Sequence, residues 1–391
     1  MTHAPTFAGA ARSAGAAAAL AAALLAAPLA TARAAEPLKL GAILAVTGPA
    51  SNLGAPEART LEMLVEQQNR QGGVGGRPIL LLLRDSGGSP EKAVSFAKQL
   101  IEEEQVVAIV GPSTSGETMA VKAIAELGRT VLVSCAAAEV IVSPLARWVF
   151  KVAPKDADAV DLIFARMKAA GTTRIGVLSS NTGFGKAGKD QIEKRAGPAG
   201  IQVAVSEVYD KAATDLTAEV TKLKAAGVQA VLNWSIEPAQ SIVLKNLRQV
   251  GLDVPAYQSH GFANVQYARA AGAAAEGVVF PASRIVVAEG LPERHPQKAV
   301  VTAYKAAYEA RYREDVSTFG GHAFDAFTLL VKALGEGGDD RERVRAAIEG
   351  TRGLAGTAGV FNFSATDHNG LDASAFELLT VRNGKFAPAP K

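Results

Sequence analysis

From residue 38 onward, short runs rich in Val, Ile and Leu alternate with longer segments whose apolar positions recur with the helical period. Leu38 to Val46, Ile79 to Arg84, Val106 to Val110 and Thr130 to Val133 read as strands, with helices at Glu57 to Gln71, Pro90 to Glu103 and Gly116 to Leu127 between them. The alternation restarts with strands at Arg174 to Leu178, Gln202 to Val208, Ala230 to Asn233 and Ala256 to Ser259. Helices at Phe184 to Arg195, Leu216 to Ala225 and Pro238 to Val250 separate them. Strands that are apolar throughout and linked by helices predict parallel sheets covered on both faces. Two such runs predict two doubly wound α/β lobes rather than one large sheet.

A third block, with helices at His295 to Arg313, Gly320 to Gly335 and Asp339 to Glu349, has too few strands for a domain of its own. It is expected to return and cover the first lobe, with the last strands near Phe361 and at Phe376 to Val381 crossing to the second. The expected boundaries are 36–152 plus 283–360 for the first lobe and 153–282 plus 361–391 for the second.

Residues 1–35 have a different pattern. A short basic start with Arg12 leads into an Ala/Leu stretch from Ala14 to Ala27, then Pro28 and the small-residue site Ala32-Arg33-Ala34. This is the layout of a secretory signal peptide cleaved near Ala34 or Ala35, and the apolar run is shorter than a spanning helix needs. The single cysteine, Cys135, lies far from that site, so neither a lipid anchor nor an internal disulfide is expected. A soluble protein of the periplasm follows, stabilised by its core alone. Losing Arg12 and Arg33 takes the formal charge from +3 to about +1, which points to neither nucleic acid nor an anionic membrane as partner. Monomer is the expected state, because two lobes must move freely.

Ligands of open α/β sheets sit at the carboxyl ends of the strands. The loops there include Val46 to Gly54 and Gly111-Pro112-Ser113-Thr114-Ser115-Gly116. Three consecutive hydroxyls at a helix start suit a small anion such as a carboxylate, although any one of them would suffice as an ordinary N-cap.

The order LKLGAILAVTGPASNLG, GGVGGRPI, RDSGGSPEKAV, AIVGPSTSG, with NTGFGKAG and VPAYQSHGFAN later, resembles the leucine/isoleucine/valine-binding family of solute-binding proteins. That resemblance implies a type I periplasmic binding protein, its lobes joined by three hinge crossovers, serving an inner-membrane ABC permease and its ATPase. It implies no enzymatic activity, cofactor or metal. By the same resemblance Ser115, with Thr114 beside it, would receive the ligand carboxylate. Ala136 and Ala138 would lie in the next contact loop, and Phe184 would cover the ligand. Ala138 stands where a threonine is common, which removes one donor.

Members that bind amino acids place an acid near His260 for the ligand ammonium. A buried ammonium without that partner would cost roughly 3–5 kcal/mol, so an amine-free carboxylate is favoured over a leucine-like amino acid. Asp156 and Asp158 remain alternative anions. His260 could bond a hydroxyl or keto oxygen, pair with a second carboxylate, or be satisfied within its own lobe. Leu53, Phe184, Trp234 and Phe262 are candidate apolar walls, a set that suits an aromatic or other apolar acid.

Two other functions compete. A ligand sensor feeding a membrane receptor would use the same closure. A NAD-dependent oxidoreductase would explain Gly183-Phe184-Gly185-Lys186-Ala187-Gly188 with Glu207 downstream. Ser179 to Thr182 make the preceding loop longer than that fingerprint's tight turn, and the leader directs the chain away from cytosolic nucleotides.

Overall fold

The computed structural model describes residues 1–6 and 36–390. The expected signal peptide, including its cleavage site near Ala34 or Ala35, falls almost wholly outside them. Pro37–Lys391 forms one compact unit.

The chain opens with β1 (Leu38–Leu44), α1 (Ser51–Arg70), β2 (Ile79–Asp85), α2 (Pro90–Lys98), β3 (Ala108–Val110), α3 (Ser115–Leu127), β4 (Val131–Ser134) and β5 (Val149–Lys151). These strands form a parallel sheet in the order β2-β1-β3-β4-β5. Helix α2 begins as expected, with Ser89 Oγ accepting from Lys92 N–H and Pro90 at the first helical position.

Helix α1 starts at Ser51, six residues before the sequence pattern predicts. Gly54 permits this, because a Cβ there would lie 2.2 Å from the Ala45 carbonyl at the end of β1. Pro56 inside the helix has no N–H to offer the carbonyl of Asn52 four residues back. That carbonyl instead accepts from Asn264 Nδ2 at 3.1 Å, from the other lobe.

The second run comprises α4 (Asp156–Ala169), β6 (Arg174–Ser180), α5 (Gly183–Ala196), β7 (Gln202–Tyr209), α6 (Thr217–Ala225), β8 (Ala230–Trp234), α7 (Ala239–Val250), β9 (Ala256–Gln258), α8 (Val265–Ala271) and β10 (Val279–Ala282). The helix-rich block follows as α9 (Lys298–Tyr312), α10 (Thr318–Gly337) and α11 (Arg341–Glu349). A hairpin, β11 (Leu354–Ala355) with β12 (Val360–Phe361), precedes β13 (Glu377–Arg382) and β14 (Lys385–Pro388). The second sheet runs β14-β13-β10-β9-β8-β6-β7, with every strand parallel except β13, which is antiparallel to both β10 and β14.

Residues of α10 and α11 share a core with β1, β3 and β4, as the return of the third block requires. Phe361, Phe363, Leu371 and Ala375 belong to that same core, so the chain leaves the first lobe after Ala375 and not at the expected 361. Phe361 stacks on Phe363 at 5.4 Å, which anchors the hairpin there.

Candidate ligand-binding site

Two helices point their N-termini at each other across the junction of the lobes. In α3, Thr114 is the N-cap, and the N–H groups of Ser115 and Gly116 in the first turn have no acceptor within the helix. In α5, Thr182 is the N-cap and Gly183 the first helical residue. The backbones touch at glycine: a Cβ on Gly183 would lie 2.6 Å from Gly116 Cα. The lobes are also joined by Gln191 Nε2 to Glu139 Oε2 at 2.9 Å and by Thr318 N–H to the Ala263 carbonyl at 3.4 Å. The cleft is therefore shut.

Behind that contact lies a small inner chamber of about 20 Å³. Leu53, Ser113, Ser115, Cys135, Ala136, Ala137, Phe319 and His322 line it from the first lobe, and Phe184, Ile236, His260 and Gly261 from the second. Leu53 and Phe319 share one apolar cluster with Phe184 and Ile236, so the hydrophobic wall is continuous across the lobes. Thr114 and Gly116 face an outer cleft of about 190 Å³, opposite Asn181, Lys211 and Glu237.

The three hydroxyls expected to converge each have a partner inside the protein. Thr114 Oγ1 accepts from Glu117 N–H at 3.3 Å and donates to its carboxyl at 2.6 Å, an ordinary cap. Ser113 Oγ accepts from Ala45 N–H at 3.0 Å and donates to Glu57. Ser115 Oγ accepts from Ala138 N–H at 3.3 Å. Of the three, Ser115 and Ser113 still border the chamber. Ala136 lines it and Ala138 does not, being fully buried behind Ser115.

His260 is 7% exposed, and neither of its ring nitrogens has a partner. Aromatic rings enclose it: Phe184 at 5.3 Å, Phe376 at 5.4 Å and Trp234 at 5.6 Å. Trp234 is one layer back from the chamber, with its indole nitrogen against Gly188, where a Cβ would lie 2.0 Å away. Phe262 is not a cleft wall. It sits in the second lobe's core, edge-on to Phe280 at 5.2 Å. Asp156 does not line the chamber either; its Oδ1 accepts from the N–H groups of Glu139 and Ala157. Asp158 is likewise absent from the lining.

Sequence reasoning missed His322, Phe319, Ile236 and Cys135. The signal for His322 was its place on an apolar helical stripe with Phe319, Ala323 and Ala326, where a polar ring has no reason to be unless it faces something polar. Both its ring nitrogens are buried and lack partners at hydrogen-bond geometry. Burial, and then the nearby Lys151 charge, pulls each histidine down to about 3, with His322 adding to the effect on His260 and the Cys135 backbone offsetting a little for His322. Lys151 is itself buried, donates to the Ala153 carbonyl, and is pushed down by that burial. Burial raises Glu57 well above the carboxylate range. Among the described residues no carboxylate lines the chamber, and no group of acids, histidines and cysteine could hold a metal ion.

The glycines of the nucleotide-like motif are packing residues. Gly183 meets the other lobe, a Cβ on Gly185 would lie 1.9 Å from the Ser180 carbonyl, and Gly188 receives Trp234.

The sequence of residues 37–385 matches a family model described as periplasmic binding protein. A leucine-, isoleucine-, valine-, threonine-, and alanine-binding protein of Pseudomonas aeruginosa is 29% identical over 322 residues, covering 81% of this chain and 83% of that protein. A crystal structure of an extracellular ligand-binding receptor from Rhodopseudomonas palustris superposes with a TM-score of 0.85 at 27% identity, over 90% of this chain and 99% of the other. A branched-chain amino acid transporter substrate-binding protein of Streptococcus pneumoniae, in complex with isoleucine, shares the fold with a TM-score of 0.79 at 23% identity, over 90% of this chain and 97% of the other.

Proposed function

Since the chain belongs to the periplasmic binding protein family, in its leucine/isoleucine/valine-binding branch, we propose that it closes its lobes on a small amine-free carboxylate and presents that ligand to an inner-membrane permease. The family is one of non-enzymatic solute-binding proteins of ABC importers, which removes the oxidoreductase reading. The observation that supports the ligand class is an inner chamber bordered by Ser115 at the start of α3 with no carboxylate in its lining, while Glu237, in the adjoining outer cleft, already accepts from Ser235 Oγ and Ile236 N–H. Helix N-termini favour an anion. Lys151, a buried cation whose charge acts on both histidines, opposes an ammonium, and burial disfavours the charged form of Glu57 behind Ser113.

In this reading the carboxylate lies at the Ser115 N–H, its apolar body rests on Leu53, Phe184, Ile236 and Phe319, and Trp234 stiffens the wall from behind. The lobes comprise 36–152 with 283–375 and 153–282 with 376–391. The protein acts as a monomer in the periplasm after loss of its leader. Among the described residues no helix is long and apolar enough to cross a membrane.

Thermal denaturation of the mature protein against aromatic carboxylates, aliphatic keto and dicarboxylic acids and leucine-like amino acids tests the ligand class. A large upward shift with an amine-free acid is expected. A shift with branched-chain amino acids alone would remove the reading.

A further inference from the structure

We infer that His260 and His322, brought together from opposite lobes, form a two-imidazole clamp for an uncharged oxygen on the ligand, so that the preferred ligand is a hydroxy- or oxo-substituted carboxylate. This rests on the carboxylate reading and narrows it.

His260 and His322 both line one chamber, and their four ring nitrogens are buried without a partner at hydrogen-bond geometry, the Cys135 backbone lying close to His322. Around His260 the protein supplies aromatic rings in place of hydrogen-bonding groups, and Phe319 stands edge-on to His322 at 6.2 Å. The backbone that carries each ring is held: Ser259 Oγ caps the turn at His260, and Ser317 Oγ caps the helix that carries His322. Buried polar groups with no internal partner at the meeting of two lobes are met by what the lobes close upon.

The chemistry of that partner follows from the imidazoles. A neutral imidazole has one N–H and one lone pair. A hydroxyl can accept from one ring and donate to the other, and a keto oxygen can accept from both. A second carboxylate could accept from the same N–H groups but would bury a further charge among aromatic rings. A plain hydrocarbon acid would leave all four nitrogens unmet. Because the rings belong to different lobes, a single oxygen between them also rewards closure.

The test compares matched acids by calorimetry on the mature protein: 3-phenyllactate and phenylpyruvate against 3-phenylpropanoate, 4-hydroxybenzoate against benzoate, and succinate as the dicarboxylate. At least one oxygenated acid should bind roughly 100-fold more tightly than its deoxy partner. His322→Leu should narrow that gap at least about tenfold while the melting transition stays cooperative. Acids that bind without an oxygen preference, succinate as the best ligand, or a gap unchanged in both His322→Leu and His260→Leu would overturn the clamp and leave the carboxylate reading standing. Binding by none of the acids would defeat the carboxylate reading, and the clamp with it. The wild-type comparison needs no variant, so a misfolded substitution leaves the test intact.

Discussion

At the scale of single residues, the groups around the chamber are paired, neutral or waiting for a ligand. His322 is neutral when folded because burial holds it near 3 against 6.5 for a free imidazole. Its contribution is fully present above the unfolded value and is lost as pH falls toward the folded one, at about 1.4 kcal/mol per pH unit. Asp325 has the opposite sign. Burial raises it to about 7 despite accepting from Thr357 and Ala358, so stability is lost as pH rises from 3.8 to that value. The two trends oppose each other in the wild type, and a single substitution separates them. The stability of ligand-free His322→Phe, measured by urea denaturation, should gain on the wild type steadily between pH 6.5 and 4; a constant difference would mean that the ring titrates normally.

Ser115→Ala removes the acceptor for Ala138 N–H and a hydroxyl at the chamber. Up to about tenfold weaker ligand binding is expected, with the fold retained. Affinity equal to wild type would take the Ser115 hydroxyl out of the site. The sequence singled out Ser115 and His260 as candidates because their neighbours follow a family pattern, and both border the chamber. It could not identify His322 by the same route, nor tell that Thr114 is committed to its own helix. Both depend on which face of a helix meets a cavity, and only the packed molecule fixes that.

At the scale of elements, strands and helices were legible where an apolar period met a clear stop. Helix α5, between β6 and β7, is an example. The early start of α1 was hidden by Pro56 and Gly54, residues that read as a loop until the close approach to Ala45 explains them. The hairpin at Phe361 was assigned to the wrong lobe, since a two-residue strand gives no hint of which core its aromatic ring will enter.

Helix α5 offers a contrast between two glycines of one motif. Gly188→Ala would drive a methyl into the Trp234 indole and should cost about 1–3 kcal/mol of stability. Gly183→Ala meets the opposite lobe instead, so its ligand-free melting temperature should stay near wild type while affinity falls by roughly tenfold or more. Equal effects of the two on unliganded stability would show that Gly183 is a core position.

At the scale of the whole molecule, closure draws on contacts far from the chamber. Pro56 leaves the Asn52 carbonyl free, and Asn264 Nδ2 takes it, while Asn264 Oδ1 caps α8 by accepting from Gln266 N–H at 3.0 Å. Asn264→Asp keeps the cap and removes the donor. It should weaken ligand binding up to about tenfold with little change in unliganded stability. Pro56→Ala restores a helical donor for the Asn52 carbonyl, so the two substitutions together should cost less than the sum of each alone. Strict additivity in that double-mutant cycle would disconnect Pro56 from closure.

The meeting of Gly116 with Gly183 has a consequence for how ligand preference can change. Where two main chains touch, the end of the closing stroke is set by peptide backbone, and rotamers of the wall residues cannot move it. The shut chamber thus behaves as a caliper of fixed gauge. Replacing Leu53, Ile236 or Phe319 can retune what is admitted, yet each new occupant is measured against the same jaw spacing, and an oversized molecule is refused by incomplete closure even when every chemical contact suits it.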